Sequence, residues 1–283
     1  MSQRTDLALE KSEKAGKVPG IDLEEEIKNG VTVTRIRVTD RAGELTVGKP
    51  AGNYITVEAD NFGGETDGDC REIITEELSR LIPKEGTVLV AGLGNYDITP
   101  DALGPKTADR IFATRHIDGE TAKEIGLERL RPVCVLSPGV LGKTGIETAE
   151  IIRAVAEKIK PSAVVAVDAL AAMEPVRLGK TVQLSDTGIC PGSGVGNSRS
   201  ELSKKSLGIP VIAVGVPTVV DMATLAEGLA GEQGAARLDC GCEMMGTPRE
   251  IDAVIDRAAD LVALSLNCAL QPQLSPKELS ALV

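Results

Sequence analysis

The sequence of 283 residues is poor in aromatic side chains, with no tryptophan, two tyrosines and two phenylalanines. Hydrophobic residues still make up 42% of the chain, so its core must be built mainly from Val, Ile, Leu and Ala. Aliphatic cores of this kind are typical of parallel sheets that are buried on both faces. Composition and length therefore favour an α/β protein of one large domain or two small ones.

Histidine is nearly absent, because His116 is the only one. Ser-His-Asp and Cys-His catalysis both need a histidine base, and no G-x-S-x-G nucleophile elbow lies near Ala113-Thr-Arg-His116. The six cysteines lack the spacing of a secreted disulfide framework. Cys240 and Cys242 lie close together, but at a spacing that does not suit zinc. We therefore expect buried or incidental thiols, no metal site and no cofactor.

Long apolar runs and an excess of positive charge are also missing. No stretch of about 18 apolar residues occurs, and the polar N-terminus has no signal-peptide core. The net charge of −11 argues against binding to nucleic acids or anionic membranes, which would need a basic face. We expect a cytoplasmic protein without a nucleic-acid or membrane partner.

Four continuously apolar segments predict buried strands, and a helix is expected to connect each strand to the next. These strands are Thr87–Ala91, Val133–Leu136, Ser162–Val167 and Val211–Val214. Residues Val31–Val38 instead alternate apolar and polar side chains, and Tyr54–Val57 would pair with them. We predict a mainly parallel sheet flanked by helices, with a small antiparallel addition near the N-terminus.

Apolar side chains at helical spacing predict the connecting helices. The predicted helices cover residues 71–82, 100–115, 144–160, 218–229 and 248–266. A further strand is predicted over Thr181–Leu184. Residues 1–20 are polar and aperiodic, so we expect a loose tail followed by a single domain over residues 21–283. The last dozen residues are expected to fray.

Two glycine-rich turns follow predicted strands and invite a nucleotide-binding interpretation. Gly92-Leu-Gly94 supplies the first two glycines of the dinucleotide motif G-x-G-x-x-G, but Asp97 stands at the third position. The stretch 137–145 contains the Gly-Lys-Thr of a phosphate loop, but Ser137 stands where the first glycine is needed. These mismatches disfavour both motifs, and a non-catalytic nucleotide-binding protein remains an alternative.

Two aspartates are expected at the carboxyl ends of strands, where ligands gather in open α/β sheets. Asp101 follows the strand that ends at Ala91, and Asp168 comes directly after Val167. Two close carboxylates cannot both ionise at low cost, so such a pair would share one proton and act as acid and base on water. The alternative is that Asp101 only caps its helix and that Asp168 is a turn residue.

Six motifs in order along nearly the whole chain carry a family resemblance. They are Val90-Ala-Gly-Leu-Gly-Asn95 with Thr99-Pro-Asp-Ala-Leu-Gly-Pro105, Thr114-Arg-His116, Pro138-Gly-Val-Leu-Gly-Lys-Thr-Gly-Ile-Glu-Thr148, Asp168-Ala-Leu-Ala-Ala172, Ser185-Asp-Thr-Gly-Ile-Cys-Pro-Gly-Ser-Gly-Val-Gly-Asn197 and Gly215-Val-Pro-Thr-Val-Val-Asp221. In these motifs the sequence resembles the germination protease of spore-forming bacteria.

The resemblance implies an atypical aspartic endopeptidase that degrades small acid-soluble spore proteins during germination, in the cytoplasm of the forespore or the spore core. It also implies a homo-oligomer and a fold similar to that of hydrogenase-maturing peptidases, which is phosphorylase/hydrolase-like. By motif, the catalytic residues are Asp101 and Asp168. The motif residues that would bind substrate or support the pair are Gly94, Asn95, His116, Thr144 and Gly145. The alternative within the same fold is a nickel-dependent maturation peptidase, for which one histidine is thin support.

The resemblance further implies a zymogen that loses an N-terminal propeptide. Germination proteases are expected to cut after an acidic residue within a Thr-Glu-Phe-Ala-Ser-Glu type of sequence, and Thr5-Asp-Leu-Ala-Leu-Glu10 has the same order of residue types. We therefore predict self-cleavage between Asp6 and Leu7. A departure from the family is a shorter segment between Asp221 and Thr247. Cations near the cleft would bind the acidic residue, and the candidates by sequence are Lys106, Arg110, Arg115 and Lys143.

Overall fold

The computed structural model describes residues 4–15, 19–60, 62, 67–124, 126–127, 129–192, 199–228 and 244–283. Within these ranges nine strands join one sheet. The strands are β1 (Ile21–Lys28), β2 (Val31–Val38), β3 (Gly52–Glu58), β4 (Val88–Gly92), β5 (Val133–Leu136), β6 (Ala163–Ala172), β7 (Thr181–Ser185), β8 (Val211–Asp221) and β9 (Met245–Gly246). Their order across the sheet is β1-β2-β3-β7-β8-β6-β4-β5, and β9 pairs with β8.

Helices flank this sheet. They are α1 (Ala8–Ala15), α2 (Arg41–Val47), α3 (Asp67–Leu81), α4 (Leu103–Ala108), α5 (Gly119–Glu124), α6 (Leu141–Thr144), α7 (Thr148–Ile159), α8 (Lys204–Leu207), α9 (described over residues 222–228), α10 (Ile251–Leu270) and α11 (Pro276–Leu282), with 3-10 turns η1 (Thr99–Asp101) and η2 (Pro175–Arg177). None of the helices in the described ranges is long and apolar enough to cross a membrane.

The parallel strands β8, β6, β4 and β5 are covered on both faces. Val88 and Val90 of β4 share a core cluster with α3 and α10. Leu89 and Ala91 point the other way and pack with α7. A strand between two helical layers needs apolar side chains at every position, which explains the continuous apolar runs. The predicted α/β class and its four core strands are confirmed, but the predicted end of one strand at Val167 is wrong, since β6 continues through Asp168 to Ala172.

The antiparallel part of the sheet is larger than predicted. The predicted pairing near the N-terminus is confirmed as β2 with β3. β1 adds an outer strand with largely exposed side chains. β7 confirms the strand predicted over Thr181–Leu184 and pairs antiparallel with both β3 and β8. Because β7 bridges the two regions, the N-terminal strands and the parallel strands form one continuous sheet.

Three predicted helices have other boundaries. The helix predicted from Pro100 begins as η1, and α4 then ends at Ala108, earlier than predicted. The helix predicted over residues 144–160 begins later, at Thr148, as α7. The reason is that Gly145 takes the left-handed conformation that ends α6. The third prediction is wrong over residues 218–221, since β8 continues in extended form to Asp221.

Both chain ends contain more structure than predicted. The C-terminal residues form α11, where Ser275 and Glu278 cap reciprocally and Leu279 is fully buried. The expected loose N-terminal tail is also corrected, since Leu7 and Ala8 are fully buried. Apolar residues of this segment pack against β2 and α2 on one side and against β6 on the other. Its high overall polarity concealed these few buried side chains.

Candidate active site

The loop between β4 and α4 positions Asp101. Its backbone turns at Gly94, whose φ of 111° lies in the region that favours glycine. A Cβ atom at Gly94 would lie 2.1 Å from the carbonyl oxygen of Asp101, so these two segments are in direct contact. The N–H of Asn95 donates a 2.8 Å hydrogen bond to Asp101 Oδ2. Together these contacts set the direction of the Asp101 carboxyl group.

Two more glycines bring α4 onto the ends of the parallel strands. A Cβ atom at Gly104 would lie 2.2 Å from the carbonyl oxygen of Leu93 and 2.5 Å from that of Val167. A Cβ atom at Gly92 would lie 2.2 Å from the carbonyl oxygen of Gly104. In dinucleotide-binding proteins, the missing side chains of such glycines allow the pyrophosphate to approach the backbone closely. Here the chain's own backbone fills that space, so these glycines serve to position Asp101.

Asp168 lies in β6, beside the same loop. The residue is 5% exposed, and the N–H of Ala169 donates a 3.0 Å hydrogen bond to its Oδ1 atom. A 2.8 Å hydrogen bond from Leu93 N–H to the Val167 carbonyl ties the loop to β6. Asp101 and Asp168 consequently line one cleft, which has a volume of about 550 Å³.

The surroundings of the two carboxyl groups favour their protonated forms. Burial raises the pKa of Asp101, and the hydrogen bond from Asn95 offsets part of this effect. Burial also raises the pKa of Asp168 well above its ordinary value, and the charges of Asp101 and Asp6 raise it further. The pair therefore retains a proton at pH values where an exposed aspartate is ionised. Such a pair can both accept and donate a proton in one cleft.

The N-terminal segment enters this cleft, and Asp6 is among the lining residues. The N–H of Asp6 donates to the carbonyl of Ala171, and the N–H of Ala171 donates to Asp6 Oδ2, each at 2.9 Å. Gln183 Nε2 donates to the carbonyl oxygen of Asp6 at 3.1 Å, and the N–H of Ala8 donates to Gln183 Oε1 at 2.7 Å. Asp6 of the N-terminal segment thus lies in the cleft that Asp101 and Asp168 also line.

Glu10 anchors the same segment further along the chain. Its carboxylate accepts hydrogen bonds from the N–H groups of Met173 at 2.8 Å and Glu174 at 2.9 Å, and also from the Thr5 hydroxyl. The guanidinium of Arg177 lies 3.6 Å from Glu10 Oε1. Burial raises the pKa of Glu10, although these partners act to lower it. The segment is therefore held on both sides of the Asp6–Leu7 bond.

Comparison with known proteins identifies the family of the chain. A family model described as germination protease matches residues 2–229. The chain is a member of the germination protease family. The germination protease of Caldanaerobacter subterraneus subsp. tengcongensis is 40% identical over 318 aligned positions, which cover 99% of this chain and 98% of that one. The germination protease of Clostridium tetani is also 40% identical, with 99% of each chain covered.

The solved structure of another protease is also similar to this chain. The [NiFe] hydrogenase maturation protease HycI from Thermococcus kodakarensis KOD1 matches this chain with 21% identity and a TM-score of 0.39. The match covers 67% of this chain and 98% of the HycI chain.

Membership of the germination protease family makes the present chain a peptidase with protein substrates.

In this germination protease the other predicted site residues do not all reach the cleft. Gly94 and Asn95 line it. His116 is exposed and is not among the lining residues. Thr144 and Gly145 are exposed at the end of α6, whose first turn does line the cleft. The Thr144 hydroxyl is occupied by hydrogen bonds within its own turn. The motif therefore contributes residues on either side of Thr144 and Gly145 to the lining of the cleft, but not these two residues.

The cations proposed from sequence lie elsewhere. Lys106, Arg110 and Lys143 pair with aspartates of neighbouring elements, and Arg115 is exposed. None of these four residues lines the cleft as described. Arg199 does line it, although no sequence pattern singles it out. A cation that serves the cleft therefore comes from a residue distant in sequence from the aspartates.

A metal site would need a cluster of His, Cys, Asp or Glu side chains. Among the described residues, no group of three or more such side chains could hold a metal ion. Cys240 and Cys242 lie outside the described residues, as does most of the segment predicted to be shortened. Burial raises the pKa of Cys134 and Cys268, which favours the thiol over the reactive thiolate.

Proposed function

We propose that this germination protease is an aspartic endopeptidase in which Asp101 and Asp168 activate water. The observation that carries the proposal is a peptide segment of the chain itself, bound in the cleft that both aspartates line. The raised pKa values of the two carboxyl groups support a pair that holds one proton. Asp168 lies in β6 just beyond its last pairing with β4, and Asp101 lies in the loop that follows β4, so both are near the carboxyl end of that strand, where ligands gather.

In the proposed reaction the ionised carboxylate takes a proton from water, and the water oxygen bonds to the peptide carbonyl carbon. The protonated carboxyl group gives its proton to the carbonyl oxygen. When the tetrahedral intermediate collapses, one hydroxyl returns its proton to the pair, the C–N bond breaks, and the pair protonates the leaving nitrogen. The products are a carboxylic acid and an amine, and the pair regains its single proton.

The proposed substrates are small acid-soluble spore proteins, degraded in the cytoplasm of the spore. The relatives are named germination proteases, and the segment bound in the cleft carries an acidic residue, Asp6, before the bond beside the pair. Digestion of such a protein is expected to give new N-termini after acidic residues, also in the presence of a chelator. Cuts without this preference would contradict the proposal, and loss on chelation that nickel restores would favour the nickel-dependent alternative.

We further propose that the chain cuts itself between Asp6 and Leu7. The buried Leu7 packs with Leu170 and Ala172, so the part after the cut would keep its place on β6. The part before the cut is held by the hydrogen bonds of Asp6 and by a 3.4 Å contact between Arg4 and Asp221, and after cleavage it would lose its covalent link to the buried Leu7. Its departure would remove the Asp6 carboxylate from the neighbourhood of the pair and would open the cleft to protein substrates.

Self-cleavage is expected to follow first-order kinetics with a rate that does not depend on protein concentration, because the bond already lies in the cleft of its own chain. The rate should fall as the pH rises through the raised pKa of Asp168, since the pair then loses its shared proton. Intact-mass measurements on a dilution series at several pH values would follow the new N-terminus at Leu7. The Asp101→Asn chain is the control and should stay intact. A second-order rate or a cut elsewhere would contradict this proposal.

A further inference from the structure

Gln183 contacts the backbone on both sides of Leu7, including the carbonyl group of the Asp6–Leu7 bond. Its Nε2 atom donates to the carbonyl oxygen of Asp6 at 3.1 Å, and its Oε1 atom accepts from the N–H of Ala8 at 2.7 Å. A backbone N–H can only donate, so the contact with Ala8 identifies which end of the side-chain amide is the oxygen. The NH₂ group must then face the carbonyl oxygen of the bond proposed to be cut.

The sheet register places Gln183 on the same face as Asp168, in a cavity beside the aspartates' cleft, and Asp6 lines both. Asp168 of β6 and Gln183 of β7 are both paired with Gly215 of the intervening strand β8. Residues paired across neighbouring strands point to the same face, and two strand spacings separate the Cα atoms of Asp168 and Gln183 by roughly 10 Å. Both side chains therefore lie on the face of the sheet that the N-terminal segment crosses, since Gln183 contacts Asp6 on that face.

Between Asp168 and Gln183 the side chain of Leu170 supports the N-terminal segment. Gly215 has no side chain, and a Cβ atom there would lie 2.5 Å from the Cγ atom of Leu170. Leu170 therefore covers Gly215, and it packs in turn against Leu7. On the other face of β7, Val182 and Leu184 pack in the main core, which fixes the direction of Gln183 toward the segment. The position of Gln183 is thus determined by the sheet itself.

We infer that Gln183 is a catalytic residue that binds the carbonyl oxygen during peptide-bond cleavage. The inference rests on the proposed self-cleavage at Asp6–Leu7. As the water oxygen bonds to the carbonyl carbon, the carbonyl oxygen gains negative charge, and the Gln183 N–H stabilises it before and while the pair supplies a proton. A donor aimed at such an oxygen contributes about 10²–10³-fold to the rate of acyl-transfer enzymes.

The role of the Gln183 donor can be separated from a structural role by two substitutions. Gln183→Leu removes the donor at every pH. Gln183→Glu keeps the acceptor for the Ala8 N–H, and it regains a donor only when its carboxyl group is protonated. If Gln183 had only a structural role, the loss of rate in Gln183→Glu would not depend on pH in a way that the loss in Gln183→Leu does not. The matched control is Gln273→Glu, which introduces the same charge at an exposed position outside the cleft.

The experiment measures the first-order rate of self-cleavage of the full chain by intact mass, at several pH values between 4 and 7.5. Relative to the unmodified chain, Gln183→Leu should be slower by about 10²-fold at every pH. Gln183→Glu should be equally slow near neutrality and should recover as the pH falls. Unmodified rates in both variants, or equal deficits of both at every pH, would overturn the inference while self-cleavage stands. If the unmodified chain yields no Leu7 terminus, the proposed self-cleavage itself fails.

Discussion

Replacing Asp168 with Asn is expected to slow peptide-bond cleavage by about 10⁴-fold, at the upper end of what a general acid or base contributes. Asn cannot exchange a proton with water, although its Oδ1 atom can still accept the hydrogen bond from Ala169 N–H. Asp101→Asn should have the same effect, because its amide oxygen can keep the hydrogen bond from Asn95. Both variants should remain folded, so the loss would reflect chemistry.

The same Asp168→Asn substitution is expected to stabilise the fold near neutral pH. The pKa of Asp168 is raised in the folded chain, so as the pH rises the unfolded chain ionises first and the folded state loses stability. Asn removes this loss and should raise the free energy of unfolding by about 1–2 kcal/mol at pH 7. Below pH values near 3.8 the Asp168 carboxyl group is protonated in both the folded and the unfolded chain. The difference in free energy of unfolding between Asp168→Asn and the unmodified chain should then vanish.

Thermal unfolding at pH 7 and pH 3.5, together with a peptidase assay, would test both effects. Asp60→Asn is a suitable control, since Asp60 is exposed and lies outside the cleft. It should change neither the activity nor the melting temperature. Near-full turnover in a folded Asp168→Asn sample would rule out the aspartate pair as the catalytic device.

Gly104→Ala is expected to reduce the stability and the activity together. The added Cβ atom would lie 2.2 Å from the Leu93 carbonyl oxygen and 2.5 Å from that of Val167. Both neighbours are backbone atoms of the strand ends, so the clash can be relieved only if α4 moves away from β4 and β6. Overpacking of a rigid interior costs about 1–3 kcal/mol, and a clash with backbone belongs at the upper end of that range. Because Asp101 lies two residues before α4, its carboxyl group would be displaced.

Urea unfolding and the peptidase assay would measure these two losses. Gly119→Ala provides the matched control, because nothing lies within 4 Å of a Cβ atom at that position and its φ angle is not positive. The control should keep full activity and lose no stability, since Ala is the better helix former in α5. A Gly104→Ala chain with unchanged stability and activity would show that α4 does not need this close approach.

The sequence by itself determined the elements whose burial follows a local period. The four core strands are buried on both faces, so each appears as a continuous apolar run. The helices α3 and α10 carry apolar stripes at helical spacing, and β2 alternates. The same reasoning predicted that Asp101 and Asp168 would meet at one edge of the parallel strands. Both do line one cleft, although β6 continues past Asp168 to Ala172. These predictions need only neighbouring residues.

Only the tertiary structure decided what the N-terminal segment and β7 contribute. Asp6 meets Ala171 and Gln183 through contacts that span 165 and 177 residues of sequence. No local period records such a contact, since a polar residue in a strand signals only that it faces away from the core. Burial of Leu7 likewise depends on a gap between elements far apart in the chain. Periodicity reports which side of an element is buried, whereas the partner across the cleft is set by long-range packing, which only the folded chain specifies.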